Sequence, residues 1–282
     1  MPSGMHLTTT TNHFVLLTII LAGFSFFRCG AEQPQHPHGG GGVCLPSEMA
    51  ALLTFKKGIT SDPANRLSSW QGEDCCRLQY LDLGNTVRST DITVFANLPV
   101  LQHLSLSGMD LSSINDWPQK LNMIPSLRVV DLSYWWLDRA DQKLPHFNLT
   151  KLEKLDLSVL DLSCSQTDYV TDLNTPEMVG NFSNLCSLQI LSLGFSYAPG
   201  DMTTLIESLP QCAWGKLQEL HLGHNNFTGF LPPDSIGQFT SLRILDLADN
   251  NLSGIIPPGI GNCTRLIMLL IDNNNLNGSV PT

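Results

Sequence analysis

The chain has 282 residues, with 25 Asp and Glu against 15 Lys and Arg, for a net charge of −10. This acidity argues against nucleic acid and against an anionic membrane surface as partners. The length admits two domains, but a repeat that fills most of it argues for one. Phe14 to Phe27 is a 14-residue apolar run, short for a bilayer span. Cys29-Gly30-Ala31 follows, with small residues at the positions a signal peptidase reads. Residues 1–31 are therefore expected to be a secretory signal peptide cleaved near Ala31, although His6 and His13 stand where Lys or Arg is usual. Cleavage removes one Arg and leaves −11. The expected location is the secretory pathway and then the extracellular space or the outer face of the plasma membrane. Residues 32–43, which include EQPQHPHGGGG, read as a flexible linker. Its His36 and His38 read as spacer residues rather than metal ligands.

Residues 44–77 carry CLPSEMAALLTFKKGITSDPANRLSSWQGEDCC from Cys44 to Cys76. Ser47 is suited to cap a helix from Glu48 to about Gly58, with Glu48 at its start, Lys56 and Lys57 near its end and Gly58 at its stop. Leu52, Leu53 and Phe55 form an apolar face fit to seal the end of a stack of repeats. The two ends of the segment must meet for the helix to do so, which predicts a disulfide between Cys44 and one of Cys75 and Cys76.

From residue 78 to 282 one sentence recurs. It is clearest as LQELHLGHNNFTGFLP from Leu217, LRILDLADNNLSGIIP from Leu242 and LIMLLIDNNNLNGSVP from Leu266. The core is LxxLxLxxNxL, a leucine-rich repeat. The central apolar residues are Leu81, Leu104, Val130, Leu155, Leu191, Leu220, Leu245 and Leu269, with steps of 23, 26, 25, 36, 29, 25 and 24. All but one step fall in the usual range for this repeat, and the 36-residue step holds about ten extra residues, expected as a loop between Ser158 and Leu188. A unit of this length cannot bury its own apolar face, so eight turns must stack. The expected fold is an α/β repeat solenoid with a parallel concave sheet roughly 40 Å long, at about 4.8 Å per strand. Asn225, Asn250 and Asn274 should turn inward and pair the backbone of adjacent turns. Thr86, Met109, Trp135, Leu160 and Ser196 fill that slot earlier, where less regular turns are expected.

The alternation in LxLxx sends leucines inward and their neighbours onto the concave face. One outward column is Asp82, Ser105, Asp131, Asp156, Ser192, His221, Asp246 and Leu270; another is Asn85, Gly108, Tyr134, Val159, Phe195, His224, Asp249 and Asn273. Four Asp in one column resemble a carboxylate set only superficially, because Asp is the common spelling of the L-D-L-S strand. No nucleophile elbow, phosphate loop, HExxH or paired metal-thiolate motif occurs, so neither an enzyme nor a cofactor is expected. The candidate ligand-contact residues are Tyr134, Phe195, Glu219, His221, His224, Asp246 and Asp249, since aromatics anchor interfaces. Glu219 sits beside His221, and each His should neighbour an Asp one turn on: His221 with Asp246, His224 with Asp249.

Six N-x-S/T sequons stand at Asn148, Asn181, Asn226, Asn251, Asn262 and Asn277, and with a signal peptide glycosylation of several is expected. Seven cysteines remain after cleavage, an odd count for an oxidising compartment. Cys186 and Cys212 lie on neighbouring turns and form a second candidate bridge.

The E-x-x-ALL-x-FK, D-P, L-SSW and CC elements of the 44–77 segment, with the G-x-x-P tail of the repeats, resemble plant leucine-rich-repeat receptor-like proteins. GITSDP before Trp70 and LPQCAWGKLQEL later are similar to the fungal-elicitor (xylanase) group. The resemblance implies an extracellular module for a protein or peptide ligand such as a microbial elicitor, signalling through a partner co-receptor kinase. A secreted inhibitor of a microbial cell-wall hydrolase is the alternative, and a non-functional truncation product is a third reading. In relatives the Cys pair is followed by W-x-G-V-x-C, whereas Cys76 here runs into Arg77-Leu78, so one of Cys75 and Cys76 is expected to be unpaired. Relatives also continue through more repeats to a membrane helix, so a chain ending at Thr282 reads as a truncated ectodomain.

Overall fold

The structure is a computed structural model, and it describes residues 50–51, 53–54, 56–57, 78–84, 92–109, 117–134, 146–159 and 182–279. The signal peptide, the linker, Asn85, Thr86, Trp135, Leu160, Asn181, Cys44, Cys75 and Cys76 lie outside the described residues, as does most of the long step between turns. The described residues of the N-terminal segment are helical, with Ala51 buried.

Eight three-residue strands form one parallel sheet: β1 Tyr80–Asp82, β2 His103–Ser105, β3 Val129–Asp131, β4 Lys154–Asp156, β5 Ile190–Ser192, β7 Glu219–His221, β9 Ile244–Asp246 and β11 Met268–Leu270. The register puts the central residues side by side, Leu81 on Leu104, then Val130, Leu155, Leu191, Leu220, Leu245 and Leu269. From Leu81 to Leu245 these residues are buried, and with Leu106, Leu132, Leu157, Leu193, Leu222 and Leu247 they build one continuous core. Phe95, Phe147, Phe182 and Phe239, in the connections that lead into β2, β4, β5 and β9, are also fully buried.

The inward asparagines do the pairing that an amide can do. Asn250 donates to the carbonyls of Leu222 (3.0 Å) and Leu247 (3.1 Å) and accepts from the Phe227 N–H (3.0 Å). Asn225 and Asn274 repeat the pattern one turn before and one turn after. In the earlier turns Ser196 substitutes in part, its hydroxyl donating to Leu157 O at 3.0 Å, while Met109 fills its slot with apolar bulk. Ahead of Ser196 the described residues show no second sheet. After it, short lateral strands appear, β6 Pro199–Asp201 pairing β8 Asn226–Thr228 and β10 Ser253–Ile255 pairing β12 Asn275–Asn277. The Gly-x-x-Pro tail starts here, and Gly229, Gly254 and Gly278 sit at φ of 81–83°, a region glycine enters without strain.

Cys186 and Cys212 are joined by a disulfide with Cα atoms 5.0 Å apart, which clips the turn of β5 to that of β7. Cys263 is a buried free thiol, its Sγ donating to Ile236 O, and burial raises its pKa.

Candidate functional site

The concave face is set by backbone before side chains. One residue per turn, just past the strand, adopts the left-handed conformation: Gly108, Tyr134, Val159, Phe195, His224, Asp249 and Asn273, at φ between 53° and 69°. For non-glycine residues this costs about 1–2 kcal/mol each. An inter-turn bond holds all but Asn273 in place, as from Tyr134 N–H to Ser158 O (3.0 Å), Phe195 N–H to Gly223 O (3.0 Å) and His224 N–H to Ala248 O (2.8 Å). The left-handed turn swings the side chain out of the stack. Tyr134 is therefore 52% exposed and Phe195 44% exposed, although both are aromatic.

Four members of this column form a ladder across successive turns. The rings of Phe195 and His224 stack at 3.9 Å, His224 Nδ1 lies 3.3 Å from Asp249 Oδ2, and Asn273 Nδ2 donates to Asp249 Oδ1 at 2.8 Å. The expected pairing of His224 with Asp249 is thus present. His221 differs. Its strand register does set it beside Asp246, but its Nε2 meets Glu219 Oε2 at 3.2 Å, two residues back on its own strand. Residues two apart on a strand share a face, and Asp246 Oδ1 is engaged by the Ala248 N–H at 3.1 Å.

That engagement recurs and explains the Asp column. Asp82 Oδ1 accepts from Gly84 N–H (2.9 Å), Asp131 Oδ1 from Ser133 N–H (3.0 Å) and Asp156 Oδ1 from Ser158 N–H (3.1 Å), and both serine hydroxyls also donate. The D-L-S spelling closes a turn, and the carboxylates act as its acceptors. Among the described residues no group of His, Cys, Asp and Glu is placed to hold a metal ion.

Another concave column precedes the central leucine, and of it the sequence pointed only to Glu219. Here Tyr80 stacks on His103 at 4.0 Å, and Lys154 Nζ lies 3.5 Å from Asp156. Burial lowers the pKa of His103, opposed by Asp82 and Asp131 and reinforced by Lys154; burial also raises that of Tyr80. The signal was available, since Tyr80 and His103 hold the same position in adjacent repeats. Just ahead of β3 and β4, Arg128 pairs with Glu153 and, with Lys151, Gln102, Pro99 and Val100, borders a groove of about 510 Å³ at the strand entrances.

The sequon asparagines Asn148, Asn226, Asn251, Asn262 and Asn277 are all exposed, and none lies in the eight-stranded sheet. Among the described residues no helix is long and apolar enough to cross a membrane.

The stacked parallel strands and inward asparagines make this chain a leucine-rich-repeat protein. Residues 215–276 match the family Leucine rich repeat, and residues 45–79 match Leucine rich repeat N-terminal domain. The chain is similar to Receptor-like protein 41 of Arabidopsis thaliana, 27% identical over 82% of this chain and 25% of the relative. Receptor-like protein 39 of the same plant is 27% identical over 89% and 27%, and Receptor-like protein 1 is 42% identical over 77% and 17%. The matched domains and these relatives together support a plant leucine-rich-repeat receptor-like protein. The chain spans about a quarter of the length of the first two relatives. Among solved structures, the Arabidopsis receptor kinase HAESA in complex with the peptide hormone IDA and the co-receptor SERK1 superposes with a TM-score of 0.60 at 24% identity, covering 84% of this chain and 39% of that one. The PEPR1–AtPEP1 complex gives 0.56 at 22% identity, over 82% and 32%. These two likenesses bear on the fold alone.

Proposed function

We propose that this chain is an extracellular ligand-recognition module of a plant receptor-like protein, that its ligand is a protein or peptide, and that a microbial elicitor is that ligand. The observation that carries this reading is the exposed left-handed column, which holds Tyr134, Phe195, His224 and Asp249 outward on a rigid frame. Aromatic groups fixed by backbone geometry lose little freedom on binding and suit an interface anchor. The sequons favour the same face, because glycans at any of the described ones would leave the eight-stranded sheet open. The HAESA complex pairs a peptide hormone with a co-receptor; carried to this chain, that arrangement gives a peptide ligand and signalling through a partner kinase. Its role is binding rather than catalysis, since the concave carboxylates serve as turn acceptors.

The test uses the secreted chain immobilised on a sensor and fungal culture filtrate as the probe. A protease-sensitive component is expected to be retained, and the double variant Tyr134→Ala/Phe195→Ala to reduce retention about tenfold or more with an unchanged melting temperature. Retention that survives protease digestion of the filtrate, or that the variant leaves intact, overturns the reading.

A further inference from the structure

The lateral face carries a feature that ligand binding on the concave side does not use. Phe230 is 52% exposed and Ile255 57% exposed, on adjacent turns. They hold the same place in the repeat, directly after Gly229 and Gly254. A Cβ on Gly254 would lie 3.5 Å from the Cβ of Phe230, so the two turns are in close contact at this point. The result is a short apolar strip on an otherwise polar surface of Asn226, Thr228, Asn251 and Ser253.

The next turn replaces the apolar residue with Ser279 and places Asn277 beside the strip. In the β10–β12 pair Ile255 and Asn277 are register partners. Both are exposed, in strands whose middle residue is the more buried one, so both face the same way. Asn277-Gly278-Ser279 is a sequon.

We infer that Asn277 is N-glycosylated and that the first sugars of its glycan lie across Ile255 and Phe230. The step is a transfer from a lipid-diphosphate-linked oligosaccharide. The bond from Asn277 Nδ2 to sugar C1 forms, the C1–oxygen bond to the diphosphate breaks, and one amide proton leaves. Ile255 is one strand spacing away, about 5 Å; Phe230, set beside Ser253 by the Ser253 N–H to Gly229 O bond, is roughly 12 Å away on the diagonal, a span that the Asn277 side chain and two linked pyranose rings bridge. N-acetylglucosamine presents C–H faces and an acetyl methyl that can cover apolar carbon while its hydroxyls stay in water. The strip is thereby covered by the chain's own modification rather than by another protein. Asn226 and Asn251 are less suited: they lie four residues before Phe230 and Ile255, and their amides bond to each other at 2.7 Å.

This inference rests on passage through the secretory pathway. The test expresses the full chain with its own N-terminus in plant cells and maps occupancy by peptide mass spectrometry after enzymatic deglycosylation. Asn277 is expected to be occupied. Ser279→Ala, which keeps Asn277 but destroys the sequon, is expected to raise binding of an apolar fluorescent dye roughly twofold. Adding Phe230→Thr and Ile255→Thr is expected to abolish that rise, which separates an uncovered strip from a loosened fold. Asn277 bare while Asn226 or Asn251 is occupied overturns the inference alone. So does an occupied Asn277 whose removal leaves dye binding unchanged. A product without a glycan on any sequon overturns the secretory reading together with it.

Discussion

Val159 is a β-branched residue held at φ 58°, where its two γ carbons crowd the backbone. Glycine would relieve about 2 kcal/mol of that conformation and lose about 1 kcal/mol to the freedom of the unfolded chain. Val159→Gly is therefore expected to stabilise by about 1 kcal/mol, read as a higher urea midpoint. Asn250 behaves oppositely. Its removal leaves the buried Phe227 N–H without its acceptor, while the Leu222 and Leu247 carbonyls keep Asn225 and Asn274 as donors. Asn250→Ala is expected to cost about 2 kcal/mol, since an unsatisfied buried N–H costs about 1–3. His103 gives the chain a pH dependence. Burial lowers its folded-state pKa below the ordinary 6.5, so its contribution to stability is fully present above 6.5. As pH falls through that value the unfolded chain binds the proton and the folded one resists it, so stability declines towards the folded pKa. In thermal melts between pH 7 and 5, His103→Gln is expected to fall less steeply than the parent.

At the scale of elements, the disulfide and the lateral strands divide the solenoid. Before Ser196 the described turns are joined by the concave ladder and by packing; after it, β6, β8, β10 and β12 add backbone pairs on a second side. Cys186–Cys212 lies at this boundary, with a sequence separation of 26. Opening a loop of that size releases about 3.5 kcal/mol of denatured-state entropy in the chain-entropy model. Cys212→Ser is expected to lower the melting temperature by several degrees, and reducing agent to lower the parent to the same value. The lateral strands were only half legible in the sequence. The Gly-x-x-Pro tail announced a bend and an extended segment, but partners for that segment depend on the stacking of turns, which no single repeat encodes. The loss of the inward Asn at Ser196 and Met109 was legible, and its consequence is local: one hydroxyl, or none, replaces a three-bond amide.

For the whole molecule, stability is a sum of turns and of the contacts between neighbours. Leu191→Ala, in a fully buried site between β4 and β7, is expected to cost about 2–5 kcal/mol. Hydrogen exchange should quicken most in those two flanking strands and least in β1. The count of eight strands, their order and their register were readable from the spacing of central leucines, because period and apolar alternation are both written in the chain. Which concave side chains meet was readable only in part. His224 and Asp249 follow from register alone. His221 meets Glu219 on its own strand rather than Asp246 on the next, a choice of side-chain rotamer that a pattern of letters does not show. The stacking of Tyr80 on His103 was legible as two rings at the same place in adjacent repeats, just before the central leucine.

The left-handed column has a consequence for how such a surface changes over generations. Its conformation is held by a main-chain bond from each turn to the next, so the frame does not depend on which side chain is present. Gly, Tyr, Val, Phe, His, Asp and Asn all occupy it here. Replacing one by another shifts stability by little more than the difference in their strain, while it rewrites an outward group. Drift can thus try new letters at this position, turn by turn, without endangering the scaffold. Duplicated copies of the gene are expected to diverge there sooner than at the buried leucines a few residues away.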